Sequence, residues 1–237
     1  MSVFADLVRH LADLLQPLFG ATAAAAAIVL FTAFVRLLVH PLSRAAARGQ
    51  KARVALQPKV AELRKKHAKN PEKLQKAVME LHAEEKVSPL SGCMPSLFQL
   101  PAFFLLYHLF SNTEIGGKAN ELLSHQLFAA PLGDRWADAL GDGGLFGAAG
   151  LVYVTLFVFV AVVAAFNFRR TKRMMAANPA MPVGDGGPVP GAGAMTKVMP
   201  FMSFFTLFTV AVVPLAAALY VVTSTTWSAV ERAVLYR

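Results

Sequence analysis

Cysteine is almost absent: Cys93 is the only one in 237 residues. No internal disulfide can form, and a Cys-based zinc site has no ligand set to draw on. Charge is also scarce. Asp, Glu, Lys and Arg make up 16% of the chain, where a soluble domain of ordinary composition carries about 25%. Acids are the minority within that share, 14 against 23 Lys and Arg, which leaves a formal net charge of +9. Walker A, HExxH and GxSxG patterns are all missing. The "GGK" at Gly116–Lys118 lacks the rest of a phosphate loop. His108 and His125 have no partners at metal-ligand spacing. The chain is therefore not read as an enzyme, and neither a cofactor nor a metal is expected.

Apolar residues are abundant. They form 56% of the chain, and the mean hydropathy is +0.50. They gather in runs that approach the roughly 20 residues needed to cross a hydrocarbon core about 30 Å thick. The expected fold class is an all-α membrane protein. It would have five transmembrane helices, a cytoplasmic antiparallel helical hairpin and an N-terminal amphipathic helix.

The chain divides accordingly. Residues 1–19 lack the basic start of a signal peptide, because Asp6 and Asp13 flank Arg9. Their apolar residues recur at helical spacing, as in a helix lying on a membrane surface. Residues 20–40 form span 1 and 41–92 the basic hairpin. Residues 93–111 form span 2, and 112–145 an acidic extracytoplasmic loop with a short helix near Asn120–Phe128. Residues 146–168 form span 3, followed by a Pro- and Gly-rich flexible loop at 169–197. The apolar stretch Val198–Val230 has 33 residues, about 50 Å of helix and too long for one crossing. Pro214 divides it into span 4 at 198–212 and span 5 at 214–231. Residues 232–237 are a short tail.

Charge orients these spans. Twelve Lys/Arg lie between Pro41 and Gly92 and five between Arg169 and Lys197. From Ser111 to Phe146 there are two, against five acids. The positive-inside rule puts both basic loops in the cytoplasm. With five spans the amino terminus is then outside and the carboxyl terminus inside. The net charge is thus mainly a topology signal, and no specific nucleic-acid site is read from it. The first loop remains attractive to ribosomal RNA or anionic lipid. Its apolar seam combines Val54, Val60 and Leu63 with Leu74, Val78 and Leu81, and Asn70–Pro71 punctuates it. Either it is a solvated topogenic hairpin or it is a docking arm for substrate or partner.

Arg36 lies about one turn before His40–Pro41. Two readings are open. Its head could snorkel to the interface, or it could face a wet cavity among the spans. A cavity needs polar neighbours at similar depth. Gln99, Asn167, Ser203 and Thr206 are candidates, with Thr223, Ser224, Thr225, Thr226 and Trp227 in the last span. Trp227 could equally anchor at the interface. The nearest acid that could neutralise Arg36 is Glu231.

Several segments carry a resemblance. "SPLSGCMPSLFQLPAFFLLYHLF" (88–110) resembles the second span of the YidC/Oxa/Alb membrane protein insertase family in its five-span bacterial form. "MTKVMPFMSFF" (195–205) is similar to the start of that family's fourth span, and "PLAAALYVVTSTTWSAVERAVLYR" (214–237) to its last span and tail. The span 1 arginine followed by "HPL" and the basic hairpin also match. The resemblance implies an insertase that moves extracytoplasmic tails of nascent membrane proteins across the membrane and releases the adjoining helix into lipid. It would work alone or beside the Sec translocon, with the ribosome as a further candidate partner. By position, the resemblance makes Arg36 the groove arginine. Asn167 stands where relatives often have Gln, Trp227 is on the groove side of the last span, and Gln99 belongs to the second-span motif. Ser203, Thr206, Ser224 and Thr225 complete the expected substrate-binding groove. Where relatives carry Gln-Gln near the end, this chain has Glu231–Arg232. The implied location is a bacterial cell membrane. Two other readings of the residues are a small anion channel or transporter using Arg36, and a membrane anchor for ribosomes.

Overall fold

The computed structural model describes residues 2–68, 70–87, 104, 107–108, 112–115, 117–120, 123–141, 143–177 and 198–235. Cys93, Gln99 and nearly all of span 2 lie outside the described residues, as do residues 178–197 of the Pro- and Gly-rich loop. The described residues are mostly helical.

Helix α1 (Ser2–Phe19) packs its apolar stripe on α2 (Ala23–Lys66). Val8 and Ala12 are buried there, and so are Ala24, Ala27 and Ile28. A single 3-10 turn, Gly20–Thr22, joins the two helices. Gly20 has φ +52, a conformation that glycine adopts without cost. Thr22 Oγ1 donates to the carbonyl of Phe19 at 2.8 Å. Helix α2 has 44 residues, about 66 Å at the usual rise. It continues through Pro41 and Pro58. The first apolar segment and the basic segment after it are therefore one rod.

Helix α3 (Pro71–Glu84) starts where Asn70 Oδ1 accepts from the Lys73 amide at 3.0 Å, with Pro71 in the first turn. This is the arrangement that satisfies an orphan amide and places a residue without N–H where none is needed. Leu74 and Val78 of α3 bury against Val60 of α2, with Leu63 and Leu81 beside them. Lys59 and Glu85 form an exposed ion pair between the same elements. That bond holds the Lys59 ammonium above its usual range.

Residues 112–145 differ from expectation. Glu121 and Leu122, in the short helix expected near Asn120–Phe128, lie outside the described residues. The described residues form two small antiparallel pairs that were not expected. Strand β1 (Glu114–Ile115) pairs with β2 (Lys118–Ala119), and β3 (Gln126–Leu127) with β4 (Ala130–Pro131). Each pair closes over two residues, with Gly117 at φ +77 and Phe128 at φ +55. Positive φ at the turn suits the twist of a tight hairpin. The helix in this segment comes later, as α4 (Trp136–Gly141). Trp136 packs on Tyr153, with ring centroids 5.6 Å apart, and edge-on to Phe157 at 5.1 Å.

Helix α5 (Ala148–Ala177) has 30 residues. It stays helical through the basic run Arg169–Arg173, where a flexible loop was expected to begin at 169. The helical propensity of Arg and Lys in this run, and of the Met and Ala that follow at 174–177, agrees with that outcome. Its start needs Gly150: a Cβ there would lie 2.2 Å from the carbonyl oxygen of Gly144.

A 3-10 segment (Met199–Phe204) leads into α6 (Phe205–Val212), and α7 (Leu215–Leu235) follows. Val213 is extended, with φ −84 and ψ 156. A residue before proline is driven from helical to extended backbone, so Pro214 accounts for the break. Leu215–Tyr220 are all buried, and with Val210, Val213 and the α1–α2 residues they make the core. One end of this core is stitched to residues 132–134. Leu215 N–H donates to Asp134 O and Ala216 N–H to Leu132 O, both at 2.9 Å. Tyr153 Oη–H donates to the same Asp134 carbonyl at 2.6 Å. Amides that a helix N-terminus leaves unpaired are thus satisfied by a neighbouring loop.

Two described stretches are long and apolar enough to cross a membrane: the α1–α2 run from Asp6 to Lys66, and α5. The apolar helix Met199–Val212 is shorter. Phe34, Leu37 and Leu38 on α2, Val158 and Val162 on α5, and Phe205 and Phe208 on α6 are exposed. Exposed apolar faces of this kind suit lipid as solvent.

Candidate functional site

Helices α2, α5, α6 and α7 bring most of the candidate residues to neighbouring places. Helix α7 organises them. At about 100° per residue, Ser224, Trp227 and Glu231 share one side of α7. Thr225, Ser228 and Arg232 share an adjacent side. The first side meets α2 and the second meets α5 and α6.

On the first side, the half-buried Arg36 turns its guanidinium onto α7. Its Nε donates to Ser224 Oγ at 3.0 Å, and Nη2 donates to the same oxygen. Ser224 is buried, at 5% exposure. Among the described residues Arg36 makes no ion pair. Glu231, expected to be its nearest neutralising acid, is the carboxylate whose charge acts on Arg36 among the described residues, and makes its direct pair with His40. His40 Nδ1 lies 2.6 Å from Glu231 Oε1, and the carboxylate side chain is only 10% exposed. His40 is one turn beyond Arg36 on α2, and its partner Glu231 is two turns beyond Ser224 towards the C-terminal end of α7. The two contacts pin α2 to α7 at successive levels. Trp227 is half-buried on this same side of α7.

On the second side lies a cavity of about 300 Å³. Asn167 and Thr171 line it from α5, one turn apart. Ser203 and Thr206 line it from the 3-10 segment and α6. Thr225, Ser228 and Arg232 complete the polar wall. The hydroxyls of α7 donate to their own helix: Thr225 Oγ1 to Val221 O at 2.8 Å and Ser228 Oγ to Ser224 O at 2.9 Å. Their lone pairs are left as acceptors. Arg170 Nη2 donates to the Arg232 carbonyl at 2.7 Å and ties the end of α7 to α5. A cation at the last carbonyls of a helix is favourably placed.

The candidate residues thus fall into two groups. Arg36 and Ser224 are in contact, with Trp227 on their side of α7. Asn167, Ser203, Thr206 and Thr225 meet in the cavity. Gln99 lies outside the described residues. Ser228, Thr171 and the His40–Glu231 pair were not among the expected groove residues. A signal for the first two was present: Ser228 follows Thr225 by three residues and Thr171 follows Asn167 by four, the spacing of neighbours on one helix face. No local pattern could have joined His40 to Glu231, 191 positions away.

The family model described as "60Kd inner membrane protein" matches residues 14–237. Among curated proteins, the chain is similar to a membrane protein insertase YidC from Clostridium perfringens. The two are 40% identical over 111 residues, which is 46% of this chain and 43% of that protein. A membrane protein insertase YidC from Magnetococcus marinus is 43% identical over 90 residues, 38% of this chain and 16% of its own length. One from Oceanobacillus iheyensis is 42% identical over 91 residues, 37% of this chain and 36% of its own length. The matched region spans less than half the length of each of these relatives.

Proposed function

Because the chain belongs to the 60Kd inner membrane protein family, we propose that it is a membrane protein insertase of a bacterial cell membrane. It takes the extracytoplasmic tail of a nascent membrane protein into a polar intramembrane groove and releases the adjoining hydrophobic helix into lipid. The observation that carries this reading is the contact of Arg36 with Ser224, beside a cavity whose polar wall includes Asn167, Ser203, Thr206 and Thr225. An arginine facing lipid near the bilayer centre costs about 2.5–3.5 kcal/mol. One whose direct hydrogen bonds go to a serine hydroxyl, with no ion pair among the described residues, is held but left open to a stronger acceptor.

The chemistry of a passing acidic tail follows from that. A carboxylate is a stronger acceptor for guanidinium than a hydroxyl and can engage it through two parallel bonds. It displaces Ser224, and the tail gains a partner part-way across. Transfer is then driven by the following apolar helix, at about 0.3–0.6 kcal/mol for each Leu, Ile, Phe or Val near the helix centre. A transmembrane potential adds about 2.3 kcal/mol per charge per 100 mV.

The rest of the reading is five spans, with the amino terminus outside and the carboxyl terminus in the cytoplasm. The α2–α3 extension acts as a basic docking arm in the cytoplasm. Its partners are nascent membrane proteins and membrane lipid, with the Sec translocon and the ribosome as further ones.

Complementation of cells depleted of their own insertase tests this, combined with site-specific crosslinking from positions 167 and 227. Both positions should crosslink to a single-span nascent substrate with an acidic tail. Arg36→Ala should lower insertion of that substrate about tenfold, the loss of a charge-assisted bond. Full insertion by Arg36→Ala, with no crosslink from either position, would remove the groove from the reading.

A further inference from the structure

The cavity between α5, α6 and α7 has a chemistry of its own. Asn167, Thr171, Ser203, Thr206 and Arg232 all line it. Among the described residues, none of these five side chains has a hydrogen-bond or ion-pair partner. Among the described residues, no Asp or Glu is in the lining. The one charged group among the described lining residues is the Arg232 guanidinium, a fixed planar fork suited to phosphate or carboxylate oxygens. The basic run Arg169–Arg173 begins two residues beyond Asn167 on the same helix end. The site is therefore a set of donors with a positive bias, and its complement is an anion.

The cavity is also graded. Asn167 and Thr171 occupy its polar level on α5. Val160, Val163 and Ala164 line it one to two turns further along the same helix, away from the basic run. Met202 lines it beside Ser203, and the neighbouring Phe201 and Phe205 are exposed. An occupant with a charged end and an apolar body matches both levels. At about 300 Å³ the space is at the lower limit of small-molecule sites. It has room for a headgroup with part of one chain, and not for a helix.

We propose that this cavity binds the phosphate headgroup of an acidic glycerophospholipid. The phosphate lies between Arg232 and Asn167, and an acyl chain runs along Val160, Val163 and Ala164. This goes beyond insertion, because it gives the cavity a lipid occupant for the intervals in which no substrate is engaged, and it rests on the insertase reading only for that alternation. Arg36 lies on the other side of α7 and takes no part. A resident lipid would screen the basic end of α5 and fill the space between α5, α6 and α7 while no substrate is bound.

Native mass spectrometry of the full chain, released from nanodiscs of mixed phosphatidylglycerol and phosphatidylcholine, tests the proposal. The wild type should retain phosphatidylglycerol in preference to phosphatidylcholine. Arg232→Gln should lower that retention about tenfold, and Arg232→Lys should restore much of it. Arg9→Gln removes an equal charge from α1 and should change nothing. Thr171→Val, a mild substitution, guards against misfolding by Arg232→Gln and should weaken retention in the same direction. Equal retention of both lipids, or retention unaffected by Arg232→Gln and Thr171→Val, overturns the proposal. Binding of inorganic phosphate with the same Arg232 dependence, but no retained lipid, keeps an anion site and overturns the lipid assignment. The readout is independent of insertion, so loss of activity in Arg36→Ala with lipid retention intact concerns only the insertase reading.

Discussion

The contact between Arg36 and Ser224 yields a coupling energy that can be measured. Ser224 Oγ accepts from both Nε and Nη2 of one guanidinium. A hydrogen bond to a charged group is worth about 1.5–3 kcal/mol. Arg36 is only half-buried, so water reaches part of the guanidinium and the value falls to about 1–2 kcal/mol. In a chain of this size each kcal/mol moves Tm by about 2–4 °C. Ser224→Ala should therefore lower Tm by about 2–8 °C. The decisive measurement is a double-mutant cycle with Arg36→Met, by reversible unfolding in mixed micelles. If the two side chains act on each other as the geometry indicates, the double mutant costs less than the sum of the singles by about 1–2 kcal/mol. Additivity within about 0.3 kcal/mol would refute the reasoning, because the guanidinium would then be solvated or held elsewhere.

Three further outcomes are expected. Glu231→Gln keeps an acceptor for His40 Nδ1–H and should shift stability by under about 1 kcal/mol, whereas Glu231→Leu removes it and should cost about 1–3 kcal/mol; unfolding of the two variants side by side separates charge from hydrogen bonding. Gly150→Ala drives a methyl to 2.2 Å from the Gly144 carbonyl oxygen and should cost about 1–3 kcal/mol or more, read as faster proteolysis near residues 143–150. Lys59 should titrate above the ordinary lysine value of 10.5 because its ammonium bonds Glu85. The sign follows from linkage: a raised pKa stabilises the α2–α3 contact below the unfolded value, and that contribution is lost as pH rises through the folded one. Nitrogen-15 NMR of the lysine ammonium checks this, and Glu85→Gln should bring the titration back towards 10.5.

Features decided by a few adjacent residues were legible in the sequence. Pro214 forces Val213 to be extended, and Asn70–Pro71 starts α3 through one side-chain bond. Both act within three or four residues, so local pattern suffices. The polar residues of the last span were visible as types and their partners were not. Ser224 takes Arg36, 188 positions away, and Glu231 takes His40. Such pairings depend on the rotation of α7 against α2, which packing of Leu215–Tyr220 sets. The strands at 114–131 escaped notice because their turns rest on positive φ at Gly117 and at Phe128, a residue type that rarely adopts it. The continuation of α5 past residue 168 shows a different limit. A charge run marks where lipid ends and says nothing about where a helix ends.

The start of α7 holds a last consequence. Its first two amides are spent on the carbonyls of Asp134 and Leu132. Main-chain groups make that seam, so the identity of most side chains there is immaterial to it. Proline at 215 or 216 is the substitution that would delete a donor outright. The stopper over this end of the bundle can consequently drift at its exposed positions, acidic or neutral, and still remain fastened to α7, while Leu132 and Ala130, fully buried in the core, stay apolar.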